Sequence, residues 1–264
     1  MVVKIKDILL TFDIEEFDLP LEFGKIISED EQLEISKKGT ENILRLLEEN
    51  NITATFFLST KFARQYPDFV KKISKYHEVG LHCFEHKDNY SDMSEKEAFE
   101  KIKNGKEIIE KIINQKIVGF RAPRYQPPAY NVLDNAEIIY DSSLNPTFIP
   151  GRYNHFFSRR DISSKNNVKI LPMSVSPYLR LPIFWIAFRN LPLIYSKYIT
   201  RSSKDYACLV FHPWEFVDIK NFDIPFWIKR NTGNKIELKL KDYIQWCLEK
   251  KFQFKTIKDY LLIS

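Results

Sequence analysis

The sequence predicts an α/β fold built from parallel β/α units, and three observations lead there. Hydrophobic periodicity alternates along the chain between short β-branched or aromatic runs and longer stretches at helical spacing. The 264 residues are 44% hydrophobic and 14% aromatic, enough for one large core, and α/β barrels of this length commonly form one domain. Polar residues of site type recur at the ends of the apolar runs, at Asp13, Glu15, His82, Arg121, Asp141 and His212. The C-terminal rim of the strands is where β/α barrels build their sites. No repeat, low-complexity tract or Gly/Ser linker interrupts the chain, so residues 1–264 read as a single domain.

Residues 3–13, VKIKDILLTFD, predict the first strand. Residues 36–50 carry Ile43, Leu44 and Leu47 at helical spacing, and ITATFFL (52–58) predicts the second strand. A helix over 61–76 is restarted at Pro67, which suits a first-turn position. EVGLHC (78–83) is a short third strand, and Ser94-Glu95-Lys96-Glu97 has the pattern of a capping box opening a helix to Asn114. KIVGFRAP (116–123) and EIIYD (137–141) predict the fourth and fifth strands. After a proline- and aromatic-rich middle come the buried strand YACLVFH (206–212), a helix over 239–250, the strand FQFKTI (252–257) and a closing helical turn at 258–262.

The formal charge of +5, from 40 basic and 35 acidic residues, is mild, and no dense Lys/Arg block marks a nucleic-acid footprint. Cys83, Cys208 and Cys247 are odd in number, far apart and without a CxxC pair. They read as reduced thiols of a cytoplasmic protein. The apolar part of MVVKIKDILLTFD is too short for a signal peptide and lacks a small-residue cleavage site. The segment 181–199, LPIFWIAFRNLPLIYSKYI, holds Arg189 and two internal prolines and falls short of the roughly 20 apolar residues of a spanning helix. It reads as a covering loop on the barrel or as a peripheral membrane contact.

The chemistry is concentrated in four stretches. In HCFEH, His82 and His86 have the spacing that puts two imidazoles on one face of a helical turn, close enough to share a cation. Two histidines with a carboxylate and an open position are the ligand pattern of catalytic zinc. In TFDIEEF, Asp13 and Glu15 are two residues apart and project the same way from an extended strand end, with Ile14 turned into packing. One carboxylate can ligate and the other can serve as general base; taken alone, the acids also fit a helix cap or a solvated cluster. In RAPRY, Arg121 can hold a carboxylate bidentately. In FHPWEF, His212 ends a very apolar strand beside Trp214 and can donate a proton near neutral pH. His77 and His155 have no partner pattern and read as ordinary core or surface residues.

TFDxE, HxxxH, RAPxY, the YDSS segment and a late strand ending in histidine, in that order, resemble the polysaccharide deacetylases of the NodB-homology type, carbohydrate esterase family 4. The resemblance runs from Thr11 to the closing FKTIKDYL. It implies a distorted barrel of seven or eight β/α units that hydrolyses N-acetyl groups on sugars with a divalent metal ion, most often Zn²⁺. It implies Asp13 as base, His82 and His86 as metal ligands, and Arg121 as the residue that orients the base. A backbone N–H near Arg124 is expected to help hold the oxyanion, His212 to act as general acid, and Asp141 to tether neighbouring groups. Arg124, Tyr125 and Trp214 are then expected to contact substrate. The first motif departs from the family's TFDDG: Ile14 stands at the ligand position, and the ligand role carries over to Glu15, one residue later. HPWE also replaces the commoner HD.

The expected substrate is an N-acetylated amino sugar or polysaccharide met on the cytoplasmic side, nucleotide-linked, lipid-linked or part of a growing chain. Two alternatives stand beside it. Another C–N amide hydrolase on the same scaffold, such as a deformylase or ring-amide hydrolase, would use the same metal and base. A non-catalytic carbohydrate-binding protein would bind sugar without a metal. Residue spacing leaves the oligomeric state open.

Overall fold

The computed structural model describes residues 6–150 and 153–263. The chain opens with β1 (Asp7–Ile14), a one-turn helix α1 (Leu19–Glu22) and the long α2 (Glu29–Glu49). It continues with β2 (Thr55–Ser59), α3 (Thr60–Gln65), α4 (Pro67–Ser74), β3 (Glu78–Cys83) and α5 (Glu95–Ile113). The short β4 (Gly119–Phe120), α6 (Tyr130–Asn135) and β5 (Tyr140–Asp141) follow. The middle carries a hairpin of β6 (Phe148–Ile149) and β7 (Tyr153–Asn154), then β8 (Ser163–Lys165) and β9 (Val168–Ile170). Helices α7 (Trp185–Asn190) and α8 (Leu193–Ser202) lead to β10 (Tyr206–Phe211), α9 (Phe226–Lys229), α10 (Asn234–Glu249), β11 (Gln253–Phe254) and α11 (Ile257–Tyr260).

Seven strands lie parallel in the order β10-β1-β2-β3-β4-β5-β9, with β8 antiparallel on β9 and β11 beside β1. The sheet curls until the irregular chain after β9 meets β10. The Ser174 N–H donates to the Cys208 carbonyl at 3.2 Å, and Phe184 bridges Val210. This is the distorted β/α barrel that the sequence predicts.

Side-chain parity explains how the barrel points its functional groups. Along β1, Ile8, Leu10 and Phe12 pack with Ile43, Leu46 and Leu47 of α2 in the layer between sheet and helices. Leu9 packs instead with Phe57, Tyr140, Met173 and Val210 inside the curl. Successive strand residues face opposite sides, so Thr11 and Asp13 share the interior side with Leu9. β2 and β10 are buried along their whole length, as expected for parallel strands covered on both faces.

Several boundaries differ from the sequence expectation. Residues 3–5 of the expected first strand lie outside the described residues. α2 starts at Glu29 rather than near 36, because the Ser28 hydroxyl caps it by accepting the Glu31 N–H at 3.2 Å, and its acidic first turn suits the helix dipole. α10 begins at Asn234, five residues early. β3 runs over the predicted residues, and Ser94 caps α5 as its pattern suggests. β4 and β5 keep only two residues each, since the chain leaves the sheet at once for a 3-10 turn at Pro123–Tyr125 and for the Ser142–Ser143 corner. The small strands β6 to β9 in the proline-rich middle have no counterpart in the hydrophobic periodicity.

The segment 181–199 folds as α7 and α8 against the barrel, with Phe188 and Arg189 buried and Leu191, Ile194 and Tyr198 exposed. No helix among the described residues is long and apolar enough to cross a membrane. Cys83, Cys208 and Cys247 are buried free thiols.

Candidate active site

The site lies where the C-terminal strand ends converge, in a cleft of about 350 Å³ lined in part by Asp13, Glu15, His82, His86, Arg124, Tyr125, His212 and Trp214. Asp13 is the penultimate residue of β1, His82 lies in β3, Arg121 directly follows β4, and His212 directly follows β10. Strand ends scattered over 200 positions thus deliver their side chains to one opening.

Glu15 sits just beyond β1, its carbonyl held by the Ser36 hydroxyl of α2. Its Oε2 is 3.0 Å from His82 Nε2 and 3.1 Å from His86 Nε2. The donor atoms of Glu15, His82 and His86 all lie within 4.8 Å of one another. The expected helical turn in HCFEH is absent: His82 is on a strand and His86 on the turn that follows. The turn is held by the Asp88 carboxylate, which accepts the Phe84 and Glu85 N–H groups at 3.2 and 3.0 Å. The two rings still stand nearly parallel, with centroids 6.3 Å apart.

His86 shows what this arrangement suits. Its Nδ1 is 2.8 Å from the Asp18 carboxylate, so a carboxylate oxygen faces each ring nitrogen. Burial alone would lower the ring's pKa, but Glu15 and Asp18 outweigh burial and hold it well above the usual histidine value. Glu15 is correspondingly held well below the usual carboxylate range: burial opposes this, and the charges of His86 and His212 with the His82 and His86 hydrogen bonds prevail. Without a cation, His86 satisfies both oxygens only as imidazolium. With a divalent ion, His86 would keep the Nδ1 proton and donate it to Asp18 while the Nε2 lone pair faces the ion, so that Asp18 is the outer partner that metal-bound histidines usually have. The Glu15–His82–His86 donor set therefore fits a divalent cation.

Asp13 stands beside this group. Arg121 Nη1 donates to Asp13 Oδ1 at 2.8 Å and to Thr11 Oγ1 at 2.7 Å, while its Nε and Nη2 bind the Ser142 carbonyl and hydroxyl at 3.0 and 2.9 Å. The expected bidentate grip is replaced by a single nitrogen, because the other two arms of the guanidinium are fixed to β5's outgoing corner. The whole group lies over the Phe57 ring, 4.3 Å from its centroid. Asp13 is thereby held from one side and keeps its second oxygen for the cleft.

Arg124 and Tyr125 both adopt positive φ, 54° and 59°, an unusual pair for residues with side chains. The turn leaves the Arg124 N–H outside the backbone hydrogen bonds of the described residues, whereas Tyr125 N–H donates to the Ala122 carbonyl at 3.2 Å. The Arg124 side chain reaches the His86 carbonyl at 3.4 Å.

His212 faces Glu15 across the cleft, with Nε2 3.8 Å from Oε1. Its ring stacks on Trp214 at 5.5 Å and meets the edge of Trp185 at 5.4 Å. The Glu215 Oε1 accepts the His212 backbone N–H at 2.8 Å and lies 3.5 Å from its Nδ1. Burial lowers the His212 pKa, but the Glu15 and Glu215 carboxylates raise it further, and the net shift is upward. α2 approaches this turn closely: a Cβ on Gly39 would lie 1.9 Å from the Pro213 carbonyl oxygen. Any side chain there would push His212 away from its place.

Four participants were not singled out from the sequence. Asp18 orients His86. Glu16, buried between cleft and core, accepts the His86 N–H at 3.4 Å and is raised in pKa by burial. Glu215 and Arg189 form an ion pair at 2.9 Å with neither side chain exposed, and the guanidinium lies between Trp185 and Trp214. The arginine's isolated appearance in an apolar segment was the one available signal, because a charge there must be paired if it is buried. His77 and His155 take no part: the His77 ring is tilted against Phe56 and is pushed down to about 4 by burial, and His155 stacks on Tyr153.

Asp141 does not line the cleft. Its carboxylate accepts the Ser143 N–H and hydroxyl and the Tyr130 hydroxyl, so it ties the β5 corner that carries Ser142 to Arg121. Burial pushes it up to about 6 against those hydrogen bonds. A carboxyl with a folded value above its unfolded one holds a proton that the unfolded chain has already lost. Stability therefore falls as pH rises through the window from 3.8 to about 6, by about 3 kcal/mol for two units. Asp141→Asn is expected to remove that loss and to gain about 1–3 kcal/mol at pH 8 relative to pH 4. Urea midpoints at the two pH values test this; an unchanged pH slope refutes it.

Comparison with known proteins bears on the family and the fold. The model of the family described as "Polysaccharide deacetylase" matches residues 2–137, a span that holds Asp13, Glu15, His82, His86, Arg121 and Arg124 but ends before His212. A peptidoglycan-N-acetylglucosamine deacetylase of Bacillus cereus is 31% identical over 97 residues, covering 36% of this chain and 33% of that protein. The match thus spans about a third of that relative. Among solved structures, Puue allantoinase superposes with a TM-score of 0.66 at 15% identity, covering 98% of this chain and 90% of that one. A CE4-family pseudoenzyme of Bacillus anthracis superposes with a TM-score of 0.57 at 16% identity, covering 96% and 64%. At these identities the superpositions speak for the shared fold.

Proposed function

The chain belongs to the polysaccharide deacetylase family, and from that premise we propose that it hydrolyses the N-acetyl group of an amino sugar, free or within a polysaccharide, with a divalent cation, most readily Zn²⁺. One observation carries the reading: the cation-type donor set, a carboxylate held by a buried arginine, and a histidine of raised pKa face one another across a single cleft.

Glu15, His82 and His86 would hold the cation. When bound, it supplies Lewis-acid polarisation of the acetyl carbonyl and lowers the pKa of water. The chain's own groups do the rest. Asp13, steadied by Arg121, takes the proton of the attacking water. The Arg124 N–H, left over by its strained turn, is available to the oxyanion that develops as water adds to the carbonyl. His212 gives a proton to the departing sugar nitrogen, which leaves as amine while acetate remains. Glu215 holds His212 so that Nδ1 faces the buried carboxylate and Nε2 faces the cleft. Trp214 and Tyr125 form apolar walls for the acetyl group and the sugar ring.

An amide hydrolase of other specificity would use the same groups, so the product decides. The expected result is zinc-stimulated release of acetate from N-acetylhexosamine oligomers, with no formate from the N-formyl counterparts. Formate release alone would reassign the substrate. Sugar binding without release of either acid would make the protein a non-catalytic binder.

A further inference from the structure

Three groups surround the His212 ring, and all three share one further neighbour. The ring stacks on Trp214 at 5.5 Å, the Trp185 ring stands at right angles to it 5.4 Å away, and Glu215 Oε1 faces its Nδ1 at 3.5 Å. Behind them lies Arg189. It pairs with Glu215 Oε2 at 2.9 Å, and its guanidinium is 5.4 Å from the centre of the Trp185 ring and 5.6 Å from that of Trp214. Both partners of the ion pair are wholly buried, and neither lines the cleft.

Local sequence brings these groups together. Trp185 and Arg189 are one turn apart on α7, the spacing that puts two side chains on one helix face. Trp214 and Glu215 belong to the single turn Pro213–Phe216 that His212 opens. Arg189 is fastened from behind as well: its Nη2 donates to the Ile228 carbonyl, and its own carbonyl accepts from Asn231 Nδ2 and Lys239 Nζ, each at 3.4 Å. Stability is a poor reason for such a pair, because apolar residues of similar volume often serve a buried site as well or better. What the pair supplies is direction. With Oε2 taken by Arg189, the carboxylate has Oε1 left for His212, where it accepts the backbone N–H at 2.8 Å and faces the ring.

We propose that Arg189 is a positioning residue for proton transfer to the departing amine: it orients Glu215, backs Trp185 and Trp214, and so fixes the His212 ring with Nε2 toward the cleft. The proposal rests on the deacetylase reading above, in which His212 is the acid. The segment 181–199 is then a working part of the site rather than only a cover on the barrel. Asp141, which the family resemblance marks as a tether, is engaged with Ser143 and Tyr130 at the β5 corner and leaves this task to α7.

The test compares the zinc-loaded full chain with Arg189→Met, with Arg189→Met/Glu215→Leu, and with Arg189→Met in a His212→Ala background. On an N-acetylhexosamine oligomer, Arg189→Met should lower kcat about 100-fold, the scale of a 1 Å displacement of a catalytic group, and leave KM within about threefold of the parent. On 4-nitrophenyl acetate, whose leaving group departs without a proton, the loss should be at most about threefold. In the His212→Ala background the same change should cost nothing further, since it acts through the missing ring. The double replacement removes the pair without stranding a charge, so it should show the same loss of kcat with a urea midpoint no lower than the parent's. Equal losses on amide and ester, or an undiminished cost without His212, would make Arg189 a structural residue and overturn the proposal. A parent that releases no acetate from any N-acetyl sugar would overturn the deacetylase reading instead. The ¹⁵N signals of the His212 ring then still decide the positioning role: they should shift in Arg189→Met, and unchanged signals refute it.

Discussion

Asp13→Asn is expected to lower the rate constant for acetate release by about 10²–10⁴-fold, the range attributable to a positioned general base, while the protein still binds one equivalent of zinc. The separation of the two effects follows from the site's construction. Asp13 is held by Arg121 and Thr11's neighbourhood, whereas the cation-type donors are Glu15, His82 and His86. The amide keeps the shape and one acceptor for Arg121 Nη1 but cannot take a proton from water. Arg121 would retain its bonds to Thr11 and Ser142, so the fold should survive with a loss near or below the lower end of the about 3–5 kcal/mol that a broken buried ion pair costs. Rate, zinc content and urea midpoint measured on one preparation separate the contributions. Turnover within threefold of the parent would remove Asp13 from the role of base. Loss of zinc together with activity would make Asp13 a ligand.

Much of this site was legible from parity and position. Asp13 and Glu15 are two apart on an extended segment, so both reach the cleft, and Ile14 between them is buried as its place requires. The displacement of the ligand from the usual second Asp to Glu15 is thus compatible with the same donor cluster. His82, Arg121 and His212 follow from apolar runs that end in a polar residue. The fold followed from alternation of period, because parallel strands covered on both faces write themselves as continuous apolar runs.

What was not legible depends on contacts between distant segments. The Arg189–Glu215 pair joins a helix after β9 to the turn after β10, and neither residue carries a local pattern that names the other. Asp18 acts through a turn geometry that spacing alone does not specify, and HCFEH reads equally well as a helical turn. Strands β8 and β9 are only three residues long each, too short for an alternation to register. The Arg121 grip was predicted in kind but not in geometry, since it depends on where the Ser142 corner stands.

Removing a donor from the cation set should have the second large effect. His82→Ala and Glu15→Gln are each expected to weaken zinc binding by more than about 100-fold, because even outer partners of metal ligands are worth about 10–100-fold. Loss of Glu15 also removes the carboxylate that raises His86, so the His86 proton becomes easier to displace, and this offsets part of the affinity that Glu15→Gln loses. Binding in the parent should strengthen as pH rises, since the ion must replace a proton on His86, whose folded value is held well above the usual one. The sign of the linked stability is opposite in the metal-free chain. A histidine raised on folding contributes stability below its unfolded value of 6.5, and that contribution is lost as pH climbs through the folded value. Zinc should offset the loss: at a free concentration 100 times the dissociation constant it stabilises the parent by about 2.7 kcal/mol and the two variants by almost nothing. Calorimetric titration with zinc at pH 6 and pH 8, paired with thermal melts, reads both effects. Stoichiometric, tight zinc in either variant, or tighter binding at pH 6 than at pH 8, would show that the cation is held by other groups and that the cleft works differently.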